Sequence, residues 1–343
     1  MINCNYNLIW FEKGLDYALK SWTSTFNRLG KPNPYSRIEK ILIGIIAELA
    51  VENYLKASEI SYDEKGKTRW YEKDRYDIGI GNYAVDVKAN FLDLNSNYIQ
   101  KIFSENNIRH QWLNKCISLV PLDQFNPAKK DRKINQRKKV YVFPFIEGCF
   151  NENIINSSNL IHAFWDYRWL KRAEFKTYGP LGKLKISYFG SLDENQKIIL
   201  YGTSKPKQFI KETIFLNNNR IITKNKYHQV FSIRLIGKPD GSLKIESSEQ
   251  KLSEVILPDC NFELEKNLIT SKYVPKENNW QNLSLNSVKI YLCGWMKDED
   301  LRILGRSYKR FDKSIPQYSE IKIDNWGVEV SELNHMKSIK SLQ

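Results

Sequence analysis

The sequence predicts a mixed α/β (α+β) chain, a mixed central sheet flanked by helices, carrying a β-rich insertion. Three observations predict it. An apolar stripe at helical spacing runs through Ile38, Ile41, Leu42, Ile45 and Leu49. A tight hairpin with alternating faces spans Asp77 to Lys88. A buried-strand run at 140–146 (VYVFPFI) precedes several short strand-like segments between 183 and 257.

The elements follow in order. A helix over 9–29 is ended by Gly30-Lys31-Pro32-Asn33-Pro34. Ser36-Arg37-Ile38-Glu39 reads as a capping box that opens a second helix, running to about Ala57. A strand-rich stretch at 68–92 leads to a helix at 98–118 and a polar, basic connection at 121–139. After the strand at 140–146 a helix is expected over 159–175. Turn signals such as Asn217-Asn218-Asn219 and Pro239-Asp240-Gly241 punctuate the later strands. The chain closes with a strand at 288–296, a helix at 297–305 and a strand at 326–330.

The 343 residues are 41% hydrophobic and 13% aromatic, which suits a packed chain rather than a disordered one. A formal net charge of +14 favours a polyanionic partner, because neutralised phosphates release counterions. A Lys-, Asn- and Ile-rich composition also arises from AT-rich coding sequence without selection for binding. No signal peptide and no apolar run of bilayer length is visible, so a cytoplasmic protein with no membrane partner is expected. The five cysteines form no CxxC pair, and His110, His162, His228 and His335 have no metal spacing.

The hairpin carries the chemistry. Gly81-Asn82 is a two-residue turn of the kind that type II′ prefers. Folding about it pairs Ile80 with Tyr83, Gly79 with Ala84, Ile78 with Val85 and Asp77 with Asp86. Alternation then gives Ile78, Ile80, Tyr83, Val85 and Val87 one apolar face, and Asp77, Asp86 and Lys88 the other. Opposed carboxylates repel, so a compensating cation is needed: Lys88 is one, and a hard divalent ion would complete it. A surface hairpin with ordinary charges is the plainer reading. The preceding helix offers Glu48 or Glu52 near its apolar stripe, and periodicity does not choose between them.

These residues resemble the PD-(D/E)xK, or restriction-endonuclease-like, nuclease superfamily. The pattern is Glu48 in Gly44-Ile45-Ile46-Ala47-Glu48, then Asp77, then Asp86-Val87-Lys88, with Tyr76 where a Pro is usual. Glu48 fits the pattern better than Glu52. Segments 140–146, 290–301 and 328–333 resemble the closing strands and helix of compact members. The resemblance implies a nuclease core at 1–147 and 288–343, interrupted by an insertion at 148–287. It also implies Asp77 and Asp86 as magnesium ligands, with manganese as a substitute. Glu48 would contribute directly or through water, the Val87 carbonyl would join the metal shell, and Lys88 would position the attacking water.

Two basic zones suggest where nucleic acid would lie. The first holds Lys129, Lys130, Arg132, Lys133, Arg137, Lys138 and Lys139 beside one acid, Asp131. The second, 161–230, has thirteen basic against five acidic residues and interleaved aromatics, whereas 231–285 is near neutral. The expected function is a DNA endonuclease of restriction or defence type. The alternatives are a mobile-element, repair or RNA-processing nuclease on the same core, and a non-catalytic nucleic-acid-binding protein. Two coordinated cuts on a duplex would suit a homodimer.

Overall fold

The computed structural model describes residues 1–22, 34–67, 75–105, 109–125, 137–151, 159–163, 182–189, 197–205, 208–215, 220–227, 229–237, 242–247, 254–256 and 280–343. Asn7 opens helix α1 (Leu8–Ser21) by accepting the N–H of Ile9 at 2.9 Å. Helix α2 (Pro34–Ala57) begins two residues before the expected cap. Ser36 therefore lies inside the helix, and Pro34, with its preset φ and no N–H to leave unpaired, makes the start. The two helices meet at Gly14, where any Cβ would stand 2.7 Å from Leu42 Cδ1 of α2.

The main sheet holds β1 (Ile2–Cys4), β2 (Ile78–Ile80), β3 (Tyr83–Val87), β4 (Asn90–Asp93), β6 (Lys138–Asn151) and β16 (Ser284–Lys297). Its order is β1-β16-β6-β3-β2, with β4 also on β6. The β3–β6 pairing is parallel and the rest of that path is antiparallel, so the expected mixed sheet is observed. The crossover runs through α3 (Asn97–Glu105), α4 (Arg109–Asn114), β5 (Ile117–Pro121) and α5 (Leu122–Phe125). The single helix expected over 98–118 is thus two helices and the start of a strand.

Pro144 explains a break in this sheet. Strand β3 pairs with β6 up to Val87↔Val142, and β4 resumes at Asn90↔Phe145 with the same offset. The N–H of Lys88 donates to the Val142 carbonyl at 2.8 Å. In a parallel ladder the next bond would run from residue 144 to the Lys88 carbonyl, and proline has no N–H to give. The Asn90 side chain donates to that carbonyl instead, at 3.2 Å. On the other edge of β6 the register with β16 shifts between Leu292 and Gly294, opposite Phe143 and Pro144.

Pairing between β6 and β16 continues to Asn151↔Ser284, beyond the expected insertion boundaries at 148 and 287. Between them lie two further antiparallel sheets. One is ordered β10 (Gln208–Phe215), β9 (Lys197–Lys205), β12 (Gln229–Ile236), β7 (Asn159–Ala163), β15 (Trp280–Asn282). The other is ordered β11 (Arg220–Tyr227), β8 (Gly182–Phe189), β13 (Ser242–Ser247), β14 (Glu254–Ile256). The described residues between β6 and β16 lie almost entirely in strands. The helix expected from 159 is a strand where it is described: β7 is paired on both edges, and that ladder overrides local preference. Residues 164–175 lie outside the described residues.

The five-stranded sheet shares a core with the helices. Ile161, Ala163, Ile199 and Tyr201 cluster with Leu15, Leu19 and Trp22. Tyr201 donates to Asp16 at 3.0 Å, and Arg234 reaches both Glu12 oxygens at 2.8 and 2.9 Å.

Beyond β16 come α6 (Asp298–Leu304), β17 (Arg306–Tyr308) and β18 (Asn325–Glu329), the last pairing with β5. A 3-10 segment, Met336–Leu342, buries Met336, Ile339 and Leu342 in the main core. No helix among the described residues is long and apolar enough to cross a membrane.

Candidate active site

The hairpin has the predicted register at Ile78↔Val85, Gly79↔Ala84 and Ile80↔Tyr83, but the expected Asp77↔Asp86 pair is not part of the ladder: the Asp77 N–H donates to the Val85 carbonyl at 3.1 Å. Gly81 takes φ +51°, which a first-position glycine of a type II′ turn supplies without steric cost. A side chain there would also meet the Leu342 carbonyl at 2.5 Å, so the C-terminal segment closes over the turn. Ile78, Ile80 and Val85 are buried in the core shared with α2, and Tyr83 and Val87 pack against it. Asp86 turns the other way, towards the face of β6 that bears Tyr141.

The sequence argument required a cation to separate Asp77 from Asp86, and the chain itself supplies the compensation. Asp77 Oδ2 accepts the N–H of Val87 at 2.6 Å, so this carboxylate caps β3 just where β2 ends. Asp86 Oδ2 is met by two ammonium groups, Lys139 at 2.9 Å and Lys88 at 3.3 Å. Burial pushes the Asp86 carboxyl up, but Lys88 and Lys139 outweigh it and hold it below the ordinary aspartate range. Lys139 also donates to the Gln124 carbonyl at 3.2 Å and lies 4.8 Å from the centre of the Tyr141 ring. Burial and the neighbouring Asp298 and Asp86 push the Tyr141 phenol far up, so it stays protonated and donates to Asp298 at 3.0 Å.

The helix acids separate clearly. Glu52 is buried and paired with Lys67 at 2.9 Å, beside Glu64, which the same ammonium meets at 2.8 Å. These acids raise Lys67 against the effect of burial. Glu48 is half-buried on α2, whose apolar residues pack on the sheet face opposite Asp86. Among the described residues no three Asp, Glu, His or Cys side chains come together to hold a metal, so Glu48, Asp77 and Asp86 do not form one three-acid group. The fold ties the Asp77 carboxylate to the Val87 N–H, next in sequence to Asp86. Two carboxylates and a main-chain carbonyl are all oxygen donors. They fit magnesium, which is commonly held by one or two carboxylates with water completing its shell.

Of the first basic zone, Lys129, Lys130, Arg132 and Lys133 lie outside the described residues. Arg137 is bound to Asp63 at 2.8 Å and lies over the Tyr76 ring at 5.2 Å, while Lys138 is exposed. Of the aromatics in the second zone, Tyr201 is fully buried and is therefore a core residue. Sequence reasoning missed Lys139 as a partner of Asp86, because only the β3–β6 register brings it there. It also missed Asn90 and Pro144, although a proline inside an apolar strand run is itself a signal of interrupted pairing. Cys4, Cys116, Cys149 and Cys293 are free thiols.

Comparison of the chain with protein-family models, with characterised proteins and with solved structures finds no significant match, so the site is read on its own chemistry.

Proposed function

We propose that this chain is a magnesium-dependent endonuclease that hydrolyses DNA phosphodiester bonds, of restriction or defence type, on a restriction-endonuclease-like core. One observation carries the reading. At the open end of the hairpin, Asp86 and Lys88 are in contact at 3.3 Å, and the Asp77 carboxylate is tied to the residue between them at 2.6 Å. The mixed sheet and the net charge of +14 agree with it.

Asp77, Asp86 and the Val87 carbonyl would hold the ion, with water completing its shell. When bound, the ion would neutralise charge on the phosphoryl oxygens and make water a competent nucleophile near neutral pH. Lys88 stands beside Asp86 with 14% of its side chain exposed, so its ammonium can orient a water and stabilise developing negative charge. The Val87–Asp77 hydrogen bond fixes the hairpin mouth, and the Lys88–Val142 bond holds the lysine backbone against β6.

The salt bridges of Asp86 with two lysines favour a second reading, a non-catalytic nucleic-acid binder in which this triad is structural. A plasmid assay with and without magnesium separates the two, with RNA run in parallel. The wild type is expected to nick or cut DNA, while Asp86→Ala and Lys88→Ala bind but do not cut. Discrete fragments would mark a site-specific enzyme and a smear a repair or mobile-element type. Cutting by Asp86→Ala at the wild-type rate would refute the mechanism.

A further inference from the structure

Both ammonium groups at Asp86 approach one oxygen, Oδ2, so the two lysines share a single carboxylate. The cluster therefore carries one positive charge more than it neutralises. The two lysines are not equivalent. Lys88 has 14% of its side chain exposed and lies two residues beyond Asp86, just past the end of β3. Lys139 has 31% exposed, sits on the neighbouring strand, and reaches Asp86 by leaning over the Tyr141 ring. Its other contact is a main-chain carbonyl, that of Gln124. Lys139 is thus the more exposed of the two lysines on the oxygen that a divalent ion would need. An ammonium and a divalent cation at the same oxygen repel each other, so one must leave when the other arrives.

We propose that Lys139 is an internal counterion that holds Asp86 until a divalent cation replaces it, and that the displaced ammonium then binds the substrate phosphate. This rests on the nuclease reading above. It makes Lys139 a positioning residue in the metal-free enzyme and a phosphate contact only in the loaded one. Two opposite effects of one substitution follow. Removing the Lys139 charge strengthens metal binding, because the competitor is gone. The same change weakens DNA binding, and does so only when metal is present.

The test is calorimetric titration of the full chain with calcium and with manganese, on wild type, Lys139→Met, Lys139→Arg and Asp86→Asn. A duplex-binding titration by fluorescence anisotropy accompanies it, with and without the ion. Lys139→Met should bind the ion about fivefold more tightly, the size expected for losing a partly exposed ion pair. Lys139→Arg should stay near wild type, and Asp86→Asn should lose the site. The Lys139→Met loss in duplex affinity should appear with the ion and vanish without it. Unchanged or weaker ion binding by Lys139→Met, with Lys139→Arg folded and binding normally, overturns the proposal and leaves the nuclease reading standing. A wild-type chain that binds neither ion overturns both.

Discussion

Asn90→Ala tests whether Pro144 breaks the sheet where Lys88 sits. Asn90 is 3% exposed and its side chain supplies the hydrogen bond that proline withholds from the Lys88 carbonyl. Truncation leaves that carbonyl without this donor, which costs about 1–3 kcal/mol for a buried acceptor. Pro144→Ala alone should cost about 0.4–1 kcal/mol, because alanine loosens the unfolded chain. In the Asn90→Ala background the new N–H at position 144 can complete the ladder to Lys88. The double variant should then recover about 1 kcal/mol relative to the sum of the single changes. Urea unfolding of the four proteins at constant slope measures this coupling. A coupling of zero would show that residue 144 does not face the Lys88 carbonyl, and the account of the break would fall. Cleavage by the double variant is a second readout: with β3 and β4 zipped together, Lys88 should be held less favourably beside Asp86 and activity should drop.

Further outcomes follow from the same geometry. Gly81→Ala forces a side chain into φ +51° and against the Leu342 carbonyl, so unfolding should come about 1–3 kcal/mol earlier in urea. Glu12→Ala strips the carboxylate from Arg234, whose side chain is 4% exposed, and should cost about 1–3 kcal/mol; Arg234→Met, which removes the buried charge, should cost less. An equal or larger loss in Arg234→Met would refute that ranking. Asp86 and Asp63 are among the carboxyls held below the ordinary range. For Asp86, Lys88 and Lys139 outweigh burial; for Asp63, the Lys65 N–H and Arg137 outweigh it. A depressed folded pKa gives stability that is present above the unfolded value, near 3.9, and lost as pH falls through the folded one. Acid should therefore weaken the wild type below about pH 4, and Asp86→Asn should flatten that slope in urea midpoints taken across pH. An unchanged slope in Asp86→Asn would count against the Asp86 pairing.

Local rules read the hairpin correctly because its information is local. A two-residue turn with glycine first and an alternating apolar set leaves one register that buries Ile78, Ile80 and Val85 together. The apolar stripe of α2 and the buried strand around 140–146 were legible for the same reason: period and run length are properties of neighbours in sequence. Net charge and the strands between 183 and 257 also came from composition and pattern alone. Local rules failed where a distant chain decided. Residues 159–163 read as helix, but two neighbouring strands satisfy their backbone better. Ser36 looked like a cap, but Pro34 had already opened the helix.

At the candidate site the division is sharper. Asp77, Asp86 and Lys88 belong to one hairpin, so sequence spacing alone brings them to its mouth. Their compensation does not belong to it. Lys139 arrives from a strand 53 residues later. The Val87 amide captures Asp77 because β2 stops one residue short. Lys67 claims Glu52 from a segment outside the helix. Side-chain periodicity is fixed by backbone geometry within an element and can be read from the chain. Which charges neutralise one another depends on strand register between elements, and that is chosen only when the whole core is packed.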